Sequence, residues 1–177
     1  ETDENLNSII NDLSNFDIAI FISPTSVIKT LEKIQTLPAD IKIAVIGRST
    51  EKMLNKYGFQ AQIVPKGFNS ESLLQHTAFQ ENNIASKSIV IFRGIGGRDL
   101  LADTLNQRGA TVTYAETYKR EISTQPSMSQ DDIENIDVLS VTSNDGLQNL
   151  FDLTDNDLKA RLTSLAVLVP GSRAYEL

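Results

Sequence analysis

Short apolar runs rich in β-branched residues alternate along this chain with stretches whose apolar positions recur at helical spacing. Ile18–Ile22 is a continuous apolar run, the pattern of a strand buried on both faces. Ser23-Pro24-Thr25 interrupts it, and Val27, Ile28, Leu31 and Ile34 then mark one face of a helix. Ile41–Ile46 reads as a second buried strand, closed by Gly47. Met53, Leu54 and Tyr57 place an amphipathic helix that Gly58 stops. Ala61–Val64, closed by Pro65, predicts a third strand. Asn69-Ser70-Glu71-Ser72 opens a helix with capping residues. Ser88–Phe92 predicts a fourth strand. Leu100, Leu101, Thr104 and Leu105 form the next helical face, stopped at Gly109, and Thr111–Tyr118 predicts a fifth strand.

Five βα-like steps over residues 14–118 predict a doubly wound parallel sheet with helices on both faces. Lys119–Ser129 has no periodicity and contains Pro126, as an interdomain linker would. Beyond it, Val138–Thr142 and Leu165–Val169 predict strands, and Leu147, Leu150 and Phe151 a helix face between them. Two strands do not build an independent sheet of this kind. The expected organisation is therefore an α/β fold of two lobes with parallel sheets: a complete lobe over 1–118, a linker over 119–129, and an incomplete second lobe over 130–177. Phe21-Ile22-Ser23-Pro24 and Val141-Thr142-Ser143-Asn144 look alike, as the strand ends of a duplicated fold would. The polar start, Glu1-Thr2-Asp3-Glu4, has no initiator Met and is not a signal peptide, so the sequence is expected to begin and stop within a longer, cytoplasmic protein.

Composition narrows the chemistry. There is no Cys and only one His among 177 residues. Thiol nucleophiles and thiolate metal sites are excluded, and a multi-histidine metal site or a histidine relay is disfavoured. Any reaction must run on hydroxyls, carboxylates, Lys, Arg, Tyr and backbone amides. Net charge is −7; residues 1–118 carry 11 Lys/Arg against 13 Asp/Glu, and residues 119–177 carry 5 against 10. Neither part offers the basic face a nucleic-acid binder needs. A small anion is still compatible, because local Arg side chains override a mildly acidic sum. No apolar run approaches the roughly 20 residues of a membrane span.

The sharpest local signal is Arg93-Gly94-Ile95-Gly96-Gly97-Arg98, between a strand and a helix. Either it is a tight turn with solvated arginines, or its amides and Arg98 hold an anion at a helix start. A dinucleotide fingerprint is disfavoured, because Asp99 stands where the third glycine belongs and its carboxylate would face a pyrophosphate. Ser23, Ser49-Thr50, Thr142-Ser143 and Ser172 all follow strand carboxyl ends, the edge at which open α/β sheets bind ligands; helix capping explains each of them singly. Tyr118 ends the fifth strand where the linker leaves. Its phenol is read equally as an acid in an interdomain cleft or as an aromatic cover for the core. His76 is read as a surface residue, and Asp131-Asp132 as solvated or capping carboxylates.

Taken in order, these segments resemble the uroporphyrinogen-III synthases of tetrapyrrole synthesis. The resemblance runs through Phe21-Ile-Ser-Pro24 with Val27, Ile46-Gly-Arg-Ser-Thr50, Pro65, and Ser70-Glu71 with Leu73-Leu74. It continues through Arg93-Gly-x-Gly-Gly-Arg98, Leu105-x-x-Arg-Gly-Ala110, Tyr118-x-Arg120, Val141-Thr-Ser143 and Val169-Pro-Gly-Ser172. No piece is specific, but the ordered set spans nearly the whole chain. The resemblance implies two flavodoxin-like lobes and a cofactor-free, metal-free, cyclising hydro-lyase. Its substrate would be the anionic linear tetrapyrrole hydroxymethylbilane, closed to uroporphyrinogen III with inversion of the last ring through a spiro intermediate. It also implies Tyr118 as the residue assisting catalysis, and Ser23, Thr50, Ser143 and Ser172 as hydroxyls lining the cleft; Arg98, read from its place in the glycine loop, is expected as a further substrate contact. Ile22 and Ser172 depart from the commoner Thr at both positions. A monomer without nucleic-acid or membrane partners is expected. The rival reading is a two-lobed module that clamps an anionic ligand, or regulates, without catalysis; a nucleotide enzyme using the Gly94 loop is a third.

Overall fold

The computed structural model describes residues 2–121, 134–169 and 171. The chain divides into two compact units, Glu1–Arg120 and Glu121–Leu177. In the first, β1 (Ile18–Phe21), β2 (Lys42–Val45), β3 (Ser88–Gly94) and β4 (Thr111–Tyr118) form one parallel sheet in the order β2-β1-β3-β4. Helix α1 (Thr2–Asn11) precedes β1, α2 (Pro24–Leu31) links β1 to β2, and α3 (Arg48–Lys56) follows β2. Short α4 (Ser70–Gln75) and α5 (Glu81–Ile84) lead into β3, and α6 (Leu100–Gln107) links β3 to β4.

The central strands are apolar throughout because both faces are covered. Ala19, Phe21, Val45, Val90 and Phe92 point toward Leu6, Val27, Leu31 and Leu54 of α1, α2 and α3. Ile18, Ile20, Ile89 and Ile91 point the other way, toward Leu73, Leu74, Leu101 and Leu105 of α4 and α6. Phe21 and Phe92 lie opposite one another in the register, and their rings stack at 4.8 Å. At the amino edge Asp17 ties β1 to β3: its carboxylate accepts from the Ser88 amide and from Lys87 Nζ, each at 2.8 Å.

The strand expected over Ala61–Val64 is reduced to a single bridge between Ile63 and Ala44. The cause is local. The Gln62 side chain accepts the Ile43 N–H at 2.7 Å, taking the donor that a regular outer ladder would use, and Pro65 then ends the segment. Helix α1 covers a stretch read above only for its acidity, yet Leu6, Ile9 and Leu13 are all buried, at helical spacing.

The second unit contains β5 (Val138–Ser140) and β6 (Ala166–Leu168), paired in parallel. Between them come α7 (Asn144–Leu153) and α8 (Asn156–Thr163), capped by the side chains of Ser143 and Asp155. Leu147 and Leu162 are buried, whereas Val138 and Leu168 are 58% and 66% exposed. The linker expected over 119–129 lies outside the described residues from 122 onward. No helix among the described residues is long and apolar enough to cross a membrane.

Candidate active site at the strand carboxyl ends

From β1 the chain crosses to β2 on one side, and from β3 it crosses to β4 on the other. The carboxyl ends of β1 and β3 therefore flank the switch point, the place where sheets of this type open a crevice. Ser23 follows β1 directly. Its Oγ accepts the Ser26 amide at 3.0 Å, and Ser26 Oγ donates back to the Ser23 carbonyl at 2.8 Å, which starts α2.

Tyr118 reaches the same place by an irregularity in β4. Arg93 pairs with Glu116, but Gly94 pairs with Tyr118, so Thr117 is an extra residue in the ladder. Thr117 Oγ1 donates to the Arg93 carbonyl at 3.2 Å, and Tyr118 O accepts the Ile95 amide at 2.8 Å. A bulge of this kind reverses which face the next side chain occupies. Tyr114 lies against Arg93 on the α6 side, whereas Tyr118 lies on the α2 side, its phenol oxygen 3.2 Å from Ser23 Oγ.

The arginine loop divides its labour. Arg93 is only 4% exposed. Its guanidinium donates to Gly94 O, Gly96 O and Asp99 Oδ1, and stacks 4.3 Å over the Tyr114 ring. Asp99 also accepts from the Tyr114 hydroxyl at 3.0 Å. The hydrogen bond from Arg93, reinforced by that from Tyr114, holds the Asp99 carboxyl below its usual range. Burial, then the adjacent Asp99, pushes the Tyr114 phenol up to about 12. Gly96 and Gly97 take φ of 77° and 106°, the conformation that lets the loop wrap the guanidinium. The loop is thus held from inside by Arg93, while Arg98, 75% exposed and 3.4 Å from Glu71, faces outward. A cleft of about 110 Å³ opens here between Ile22, Ile46, Arg93, Arg98 and Tyr114. A larger hollow of about 570 Å³ flanks α3, lined by Glu51, Asn55 and Gln60; none of these follows a strand carboxyl end, so the strand-end crevice remains the candidate.

Of the residues singled out in the sequence, Ser23 and Tyr118 are in contact and Arg98 lines the adjoining cleft. Thr50 is 1% exposed in the first turn of α3, where Arg48 and Ser49 are the exposed groups. Ser143 belongs to the second unit, exposed, accepting the Gly146 amide at 3.0 Å. Ser172 lies outside the described residues, as does the Asp131-Asp132 pair. His76 is half-buried and caps the turn at Thr77–Phe79 through Nδ1. No group of three His, Cys, Asp or Glu able to hold a metal occurs among the described residues. The Thr117 bulge and the inward course of Arg93 were not readable from the sequence.

A family model described as uroporphyrinogen-III synthase HemD matches residues 1–176. The chain belongs to the uroporphyrinogen-III synthase family. Among relatives, the uroporphyrinogen-III synthase of Escherichia coli K12 is 46% identical over 76 residues, 42% of this chain and 30% of that protein. The Salmonella typhimurium enzyme is 36% identical over 121 residues, 66% of this chain and 48% of that protein. The chain thus spans less than half the length of either. Two solved structures share the fold. Uroporphyrinogen III synthase from Thermus thermophilus superposes with a TM-score of 0.64 at 17% identity, covering 99% of this chain and 74% of that one. The Helicobacter pylori protein gives 0.57 at 14% identity, covering 91% and 81%.

Proposed function

We propose that the protein closes hydroxymethylbilane to uroporphyrinogen III, with inversion of the last pyrrole ring and loss of water. Family membership supports the reaction, and the Ser23–Tyr118 pair at the switch point is the observation that carries it to particular atoms. The phenol O–H is a hydrogen-bond donor beside a crevice. In this reading it donates to the departing hydroxyl of the substrate. The carbon–oxygen bond breaks, water leaves with the donated proton, and the pyrrole nitrogen lone pair stabilises the azafulvene cation. The methylene carbon of that cation is attacked by the substituted carbon of the last ring, giving the spiro intermediate that reopens and closes inverted; the proton lost from the ring carbon on final closure restores the phenol. The substrate is a polycarboxylate, so its acetate and propionate groups call for many donors rather than one strong base. Arg98 and the exposed loop amides supply some; Ser23, Thr50, Ser143 and Ser172 are assigned to the same task. The reading takes the protein as a cytoplasmic monomer that needs no cofactor, metal, nucleic acid or membrane.

The test is incubation of the full-length protein with hydroxymethylbilane, followed by oxidation and separation of the porphyrin isomers. Uroporphyrin III is expected in excess. Only the type I isomer, at the rate of spontaneous closure, would reject the reading in favour of a binding or regulatory module.

A further inference from the structure

Gly94 sits at the end of β3 without needing glycine's backbone freedom: the glycines with positive φ among the described residues are Gly58, Gly96, Gly97 and Gly109. What it does need is the missing side chain. A Cβ at Gly94 would lie 2.6 Å from Cε2 and 2.7 Å from Cζ of Tyr118, far inside contact distance. The atoms it would meet belong to the half of the ring that carries the hydroxyl. We propose that Gly94 is a positioning residue for Tyr118: its bare Cα is the seat on which the phenol ring lies. The proposal rests on the reading of Tyr118 as the proton donor.

Three features converge on that ring. The Thr117 bulge turns Tyr118 out of the Tyr114 face and places it directly opposite Gly94. The absent Cβ lets the ring lie against the backbone. Ser23 Oγ, 3.2 Å away, anchors the oxygen. Ser23 Oγ already accepts the Ser26 amide, and its own proton remains available to Tyr118 Oη. Either hydroxyl can donate across this contact, and where Ser23 donates the phenol proton is left for a ligand. Seat and anchor together therefore fix the place of the oxygen. Neither Gly94 nor Ser23 needs to touch the reacting carbon. The loop glycines serve different purposes: Gly96 and Gly97 shape the turn around Arg93, and Gly94 shapes the space for Tyr118.

Gly94→Ala tests this in a double-mutant cycle with Tyr118. In the otherwise unchanged protein, Gly94→Ala is expected to lower the melting temperature by several degrees, because the ring must shift. In a Tyr118→Ala background, where the ring is gone, the same substitution is expected to leave the melting temperature unchanged. With hydroxymethylbilane, Gly94→Ala is expected to cut kcat about tenfold while KM holds, and to add no further loss to Tyr118→Phe. A melting-temperature loss that persists without the ring overturns the proposal, and so does a Gly94→Ala protein with unaltered melting temperature and kcat. Coupling in melting temperature with unaltered kcat upholds the seat, and rejects instead Tyr118 as the proton donor.

Discussion

Tyr114 and Tyr118 stand four residues apart on one strand and have different chemistry. Tyr114 is a strut: its phenol, pushed up to about 12, stays protonated and donates to Asp99. Tyr118 lies on the α2 side, its hydroxyl 3.2 Å from Ser23 Oγ. Tyr118→Phe should lower turnover about tenfold, less than general-acid help usually gives because the substrate also ionises unaided, and should leave the melting temperature within a degree or so. Initial-rate assays with isomer analysis check this; if turnover holds but the type I isomer accumulates, the residue steers inversion instead. Arg98→Ala should raise KM several-fold without altering kcat or circular dichroism, since the guanidinium is exposed and makes only a long contact to Glu71. At the far end of the sheet, the hydrogen bond from Lys87 and the Ser88 amide hold the Asp17 carboxyl below its ordinary 3.8. A lowered folded-state pKa stabilises above the unfolded value and loses that contribution as pH falls through the folded one. Melting temperature should therefore drop below about pH 4, and less steeply in Asp17→Asn.

At the scale of elements, strands β1 to β4 and helices α2, α3, α4 and α6 were legible because burial on both faces writes continuous apolar runs, and capping residues and glycines punctuate the helices. What escaped did so for physical reasons. Ala61–Val64 has strand composition, but a side-chain amide takes its partner's donor. Helix α1 is acidic at its start, and its buried Leu6 and Ile9 make sense only once a sheet face exists to receive them. In the candidate site, hydroxyls after strands were readable, but which of them open to solvent was not, as Thr50 illustrates. Phe92→Ala should cost about 3–5 kcal/mol, since it empties a fully buried position and removes the stack on Phe21; denaturant titration measures it. Ser143→Asp separates capping from binding. Aspartate caps α7 as well as serine does, so thermal stability should hold. If Ser143 meets a carboxylate ligand, the new charge should raise KM by tenfold or so, the cost of about 1.4 kcal/mol.

For the whole molecule, the ordered series of weak motifs carried the family where no single motif did, and the family model's match over 1–176 is the same fact seen from the other side. The two units should not melt as one. Amides of β1 and β3, buried on both faces, should exchange with solvent far more slowly than those of β5 and β6, whose apolar side chains stand exposed; hydrogen-exchange mass spectrometry reads the difference directly. The bulge in β4 also has a bearing on lineage. A strand counts in twos, and Thr117 is the odd step that sends two tyrosines to opposite sides. A descendant that kept Thr117 but paired it regularly would keep every motif letter and carry its phenol on the Arg93 side of the sheet, whereas one that lost the residue would keep the phenol opposite Gly94. Within such a lineage, identity of residues matters less than parity of spacing: a tyrosine three residues on in a regular ladder and one four residues on across a bulge reach the same side.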